Sequence, residues 1–141
     1  MTESYLWSKK LSPLFKQHRV DATRHEDKFS LGVPDVSFGF NGINGWIELK
    51  FLPKWPSNPD APVKFRKFKP EQRNFLVSRG MAGGHCFLLA LIGNKNPREI
   101  IMWSWEDVSS IYRGKPEAWL RKRSIYESTS MSGLFLEALS S

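Results

Sequence analysis

The sequence predicts an α/β (α+β) fold in which a mixed central β-sheet is flanked by helices. Three observations carry this. Val36–Phe40 and Trp46–Phe51 are strand-like runs separated by Asn-Gly turn signals, which together read as a hairpin. His85–Ile92 is a continuous apolar run, the pattern of a buried strand. A run with helical spacing opens at Pro70 between them, and the whole chain reads α-β-β-β-α-β-β-α, an order that builds a sandwich around a mixed sheet.

Taken in order, residues 2–17 read as helical, since Leu6, Trp7, Leu11, Leu14 and Phe15 approximate one face. Pro13 either kinks this run or, with Ser12, caps a second short helix. Residues 18–31 are polar and cover a first strand and its approach. Asn41-Gly42 and Asn44-Gly45 both read as turns. In the return strand Ile47, Leu49 and Phe51 point one way, and Trp46, Glu48 and Lys50 the other.

Residues 52–70 carry five prolines, Pro53, Pro56, Pro59, Pro62 and Pro70, and read as a loop. This loop is strongly basic: Lys54, Lys64, Arg66, Lys67 and Lys69 stand against only Asp60. Pro70 suits a first helical turn and Glu71 complements the helix dipole. The helix is expected to end near Gly80, a usual C-cap residue. Gly93–Pro97 turns the chain after the buried strand, and Glu99–Trp105 returns as another. Short helices are expected near Glu106–Tyr112, Pro116–Arg121 and Ser132–Leu139. The expected organisation is one domain over residues 1–141, with a core at about 1–105 and a helical extension at about 106–141.

The chain has 141 residues, 40% of them hydrophobic and 13% aromatic; this suffices for a real core and excludes a wholly disordered chain. The net charge of +7 favours an acidic partner, nucleic acid first and an anionic membrane second. No apolar run approaches the ~20 residues of a transmembrane helix. The N-terminal residues lack the basic-then-apolar pattern of a secretory signal, so a cytoplasmic setting is expected. The single cysteine, Cys86, lies inside an apolar run, reads as a reduced buried thiol, and excludes zinc-finger ligation. His18, His25 and His85 show no metal-ligand spacing.

The chemistry concentrates at Gly32-Val33-Pro34-Asp35, followed by Glu48-Leu49-Lys50. Glu48 and Lys50 leave the same face of a strand. Two carboxylates and an ammonium converging on one spot suit a divalent metal and water activation against a phosphodiester. The Leu49 carbonyl supplies a further oxygen. Lys50 would orient or deprotonate the attacking water, or neutralise charge developing on phosphorus. The plain alternative is a turn aspartate beside an ion pair on a wet sheet face. Gln72 shares a helix face with Phe75, Leu76 and Arg79, so it points inward near the sheet edge; its alternative is an ordinary polar residue of a first helical turn.

The runs GVPDVSFGFNGINGWIELK and KPEQRNFLVSRGMAGGHCFLL resemble the PD-(D/E)XK nuclease superfamily, and within it the small virus-type VRR-NUC domains. The shared pattern is G-x-P-D, a hairpin, E-x-K, a basic loop, a helix bearing Q-x-x-F-L, then glycine and a buried strand, over about residues 30–92. The resemblance implies a restriction-endonuclease-like core and magnesium-dependent hydrolysis of DNA phosphodiesters, with manganese as a substitute. It implies that Asp35 and Glu48 bind metal, that Lys50 is catalytic and that Gln72 belongs to the site. Such nucleases carry a glutamate on the first helix; Glu3 is the natural match, with Glu26 or Asp21 able to serve instead, while Glu3 also suits a first-turn acid facing the helix dipole.

Lys54, Lys64, Arg66, Lys67, Lys69, Arg73 and Arg79 would then contact the DNA backbone. Trp55, Phe65 and Phe68 interleave with these charges and either stack on unpaired bases or turn into the core. Arg113, Lys115, Arg121, Lys122 and Arg123 read as a solvated face. A bare catalytic core should read DNA shape, as junction-resolving and other branched-DNA nucleases do. Paired cleavage of two strands calls for a homodimer. The competing readings are a basic DNA-binding module that does not cut, and an exonuclease or restriction-type nuclease using the same chemistry.

Overall fold

In the computed structural model, residues 3–26 and 31–140 are described; the end of the expected first-strand region, at residues 27–30, lies outside them. Six strands form one sheet in chain order: β1 (Asp21–Arg24), β2 (Val36–Phe40), β3 (Ile43–Leu52), β4 (His85–Ile92), β5 (Glu99–Ser104) and β6 (Tyr126–Ser128). Every neighbouring pair is antiparallel except β3 and β4, which run parallel. A parallel pair needs a crossover, and α3 (Pro70–Met81) provides it. The fold is therefore the mixed sheet with flanking helices that the element order predicts.

The N-terminal segment is helical throughout: α1 (Glu3–Tyr5), a π-helical stretch (Leu6–Leu11) and α2 (Ser12–Gln17), which has Pro13 in its first turn. Leu6 and Leu11 are five apart and fully buried, which matches the i→i+5 winding of a π-helix. This segment and α6 (Gly133–Leu139) bury Leu6, Leu11, Phe15, Phe135 and Leu139 against one sheet face. The opposite face takes α3, α4 (Val108–Arg113) and α5 (Glu117–Arg123) through Leu76, Val108, Ile111 and Leu120. Alternate residues of β4 feed the two cores, Phe87, Leu89 and Leu91 on one side and Cys86, Leu88, Ala90 and Ile92 on the other. That double burial is why β4 reads as an unbroken apolar run. Burial pushes the Cys86 thiol up to about 11.

Three local expectations are corrected. The hairpin turns only at Asn41-Gly42, both with positive φ; Asn44 and Gly45 lie inside β3. A Cβ at Gly45 would overlap the His85 carbonyl and the Phe38 ring, so this glycine permits close strand packing and is no turn residue. Gly80 is buried inside α3, where a Cβ would strike the Trp105 ring. The helix does end beside it, at Met81, but the capping glycine is Gly83: Gly84 donates to the Arg79 carbonyl and Gly83, at φ +100°, to that of Gly80, a Schellman closure. The C-terminal residues are not only helical, because β6 extends the sheet beside β5.

Candidate active site

Strand β3 runs past the end of β2: Ile47 pairs with Val36, and β3 continues to Leu52. Asp35, immediately before β2, meets that extension, its Oδ2 accepting the Leu49 amide at 2.8 Å. A strand residue's N–H and C=O leave on the same lateral edge, so the Leu49 carbonyl faces the same end of β2. Asp35 Oδ1 lies 3.5 Å from Arg24 Nη1, and the His25 amide donates to the Asp35 carbonyl at 2.8 Å. Asp35 is thus fixed between β1 and β3.

Glu48 and Lys50 project from β3 toward α3, and each is only 2% exposed. A buried charge requires partners, and Lys50 has them. Its Nζ is 3.1 Å from Glu48 Oε2 and donates to Gln72 Oε1 at 2.9 Å and to the Lys67 carbonyl at 3.0 Å. Three acceptors match the three protons of an ammonium. The Phe68 ring centroid lies 5.0 Å away. Lys67 adopts a left-handed φ of 57°, which costs on the order of 1–3 kcal/mol for a residue with a Cβ, and its carbonyl ends on the Lys50 ammonium.

Gln72 does two things with one oxygen. As the third residue of α3 it accepts the Lys69 amide at 2.9 Å, one half of the helix's capping box. The same Oε1 accepts from Lys50. Both readings of Gln72 therefore hold together: the residue that closes the helix start also orients the lysine. The arrangement gathers Asp35, Glu48, Lys50, the Leu49 carbonyl and Gln72 around the end of β3, with Lys67, Lys69 and Arg73 at its rim.

No protein-family model and no curated protein matches the chain, so the narrower likeness to VRR-NUC domains has no support there. A solved structure does resemble it. Hjc, a Holliday junction resolvase from Archaeoglobus fulgidus, is 15% identical with a TM-score of 0.46, covering 77% of this chain and 92% of that one.

The remaining predicted residues are placed as follows. Glu3 begins α1 and is half-buried; among the described residues no three His, Cys, Asp or Glu side chains are grouped to hold a metal ion, so Glu3 forms no three-acid cluster with Asp35 and Glu48. Asp21 pairs with Gly39, at the end of β1 away from Arg24, and Glu26 is exposed beyond it. Lys54, Lys64, Arg66, Lys67 and Lys69 are exposed. Arg73 lies 4.5 Å over Tyr112, and Arg79 lies 4.9 Å over Phe75.

The interleaved aromatics turn inward. Phe65 is buried against Trp103, Phe68 sits edge-on to Tyr112, and Trp55 Nε1 donates to Glu99 Oε1 at 2.9 Å. They anchor the basic loop to the core and leave its charges outside. In the second basic patch, Arg121 joins Glu99, Glu117 and Glu127, and Arg123 joins Asp107. Arg24 is the site residue that sequence reasoning missed. Only the β1–β2 pairing brings it to Asp35, and nothing in the polar run around it marks it out.

Proposed function

We propose that the chain is a metal-dependent endodeoxyribonuclease that hydrolyses DNA phosphodiesters, selects branched DNA such as four-way junctions, and works as a homodimer. The observation that carries this reading is the buried Lys50 ammonium, held by Glu48, Gln72 and the Lys67 carbonyl beside Asp35. A structural ion pair on a sheet face needs neither burial to 2% nor a strained backbone carbonyl aimed at it.

The donors here are all oxygens, two carboxylates and one backbone carbonyl, a hard set that fits Mg²⁺ or Mn²⁺. Asp35, Glu48 and the Leu49 carbonyl would hold the ion. When bound it supplies Lewis-acid activation of water and neutralises charge at phosphorus. The chain's own residues do the rest. Asp35 is held in place through the Leu49 amide. Gln72 fixes the direction of Lys50 Nζ, which, on giving up one of its three acceptors, would orient water or donate to the oxygen on which charge develops. Arg24, beside Asp35, adds a second cation for the same phosphate.

The exposed basic loop supports DNA as the substrate. Lys and Arg contacts to phosphates position a duplex and carry no base sequence, which favours recognition by shape. A second reading, a DNA-binding module without cleavage, draws on one observation: both site carboxylates already face protein cations, Arg24 and Lys50. Magnesium separates the two readings. Cleavage of labelled DNA that appears with Mg²⁺ and vanishes with chelator supports the nuclease; binding that is unaffected by chelator, without cleavage, supports the module.

A further inference from the structure

Next to the proposed cleavage centre lies a trough of about 660 Å³, within the ~300–1,000 Å³ range of pockets that enclose a small organic ligand. Thr23, Ser37, Asn44, Trp46, Arg79 and His85 line it. Asp35, Glu48, Lys50 and Gln72 do not line it, but its near edge neighbours them, since Ser37 comes two residues after Asp35, and Trp46 two before Glu48 on the same strand face.

Its lining differs from a phosphate cradle. It includes one full cation, Arg79, and one anion, Asp21. The other side chains offer hydroxyls, an amide and an imidazole, and five of the lining residues are glycines, so backbone donors and acceptors form much of its surface. Trp46 is braced at a fixed angle: His25 lies 5.3 Å from its ring and is itself bonded to Ser37 Oγ at 2.7 Å. Phe75 meets it edge-on at 5.1 Å, and the Arg79 guanidinium lies 5.7 Å from the ring. A rigid indole, neutral hydrogen-bonding groups and one cation are what a nucleobase and its phosphate require.

The geometry points to a seat for one unpaired nucleotide of the DNA strand that adjoins the scissile phosphate. This rests on the nuclease reading and deepens it. A base stacked inside a duplex cannot enter the trough, whereas an unpaired base at a branch point can. Trp46 and the neutral groups take the base, and Arg79 takes its phosphate. The seat gives the shape selectivity a physical origin: the branch supplies the free base.

The test compares a forked DNA, with one unpaired nucleotide carrying 2-aminopurine at the branch, against the matched blunt duplex. Binding is measured with chelator present, on the full chain. Thr23→Leu and Asn44→Leu fill the trough from two different strands at exposed positions. The expected result is a change in 2-aminopurine emission on binding to the wild type. Fork affinity should fall about tenfold in both variants and blunt-duplex affinity by less than about twofold. Equal affinity for fork and duplex in the wild type, or unchanged fork binding in both folded variants, overturns the seat. Duplex cleavage with magnesium is followed separately. Cutting that persists while fork binding is unchanged removes the seat and keeps the nuclease; lost fork preference in an enzyme that never cuts keeps the seat and removes the nuclease.

Discussion

Gln72 Oε1 accepts a hydrogen bond from Lys50 Nζ at 2.9 Å and another from the Lys69 amide at 2.9 Å, so the start of α3 and the proposed catalytic lysine share one acceptor. Removing that oxygen disturbs both. Gln72→Ala should lower the rate of DNA cleavage by at least about tenfold, less than the ~10²–10⁴-fold that a positioned proton-handling group itself contributes, because Lys50 remains and only its positioning is lost. It should also cost ~1 kcal/mol of stability by uncapping the helix. Gln72→Glu keeps an acceptor at the same place and should keep the stability. Single-turnover rates and urea midpoints measure the two effects; wild-type cleavage by Gln72→Ala would remove Gln72 from the site.

Lys64, Arg66 and Lys67 are exposed on a loop whose aromatics are anchored in the core. Their joint replacement by Ala should therefore leave the fold intact and weaken DNA binding. The slope of log affinity against log salt should flatten by about 0.9 for each phosphate that the protein no longer neutralises. An unchanged slope would move the DNA surface elsewhere.

The parts of this molecule that are legible in the sequence are those fixed by local chemistry. β2, β4 and α3 announce themselves through alternation, a continuous apolar run and a proline start; Asp35 falls immediately before β2, and Glu48 and Lys50 in the second half of β3. What the sequence conceals depends on tertiary contact. Gly45 looks like a turn residue until the His85 carbonyl is seen against it, and Gly80 looks like a cap until Trp105 covers it. β6 has three residues and exists only because β5 offers an edge. Arg24 carries no local signal, and Trp55 and Phe65 show their inward direction only once Glu99 and Trp103 are in place.

Gly80 gives a direct test of that packing. Gly80→Ala improves helix propensity, yet its methyl would meet the Trp105 ring. Overpacking of this kind typically costs ~1–3 kcal/mol. Thermal or urea unfolding should show net destabilisation while magnesium-dependent cleavage is retained. A stabilised variant would mean that Trp105 yields without cost.

Glu99 links the basic loop to α5: Arg121 pairs with it at 2.6 Å, and Trp55 donates to it. The Arg121 hydrogen bond, more than Trp55, holds its carboxyl below the ordinary value of 4.5 against the opposing effect of burial. A carboxyl lowered in the folded state contributes stability above its unfolded value and loses it as the pH falls through the folded one. The stability difference between wild type and Glu99→Gln should therefore be full at neutral pH and shrink on acidification below about pH 4.5. A difference that does not change with pH would contradict the pairing.

Asp35→Asn is the sharpest probe of the site, because the amide oxygen can still accept from the Leu49 amide and only the carboxylate's charge is removed. The measurement is cleavage of a labelled four-way junction and its matched linear duplex, with magnesium and with chelator, by wild type and by Asp35→Asn. A metal-dependent nuclease centred on Asp35 should give magnesium-dependent cutting of the junction by the wild type, none by Asp35→Asn, and DNA binding retained in both. Cutting by Asp35→Asn at the wild-type rate, or wild-type cutting that survives the chelator, would contradict it.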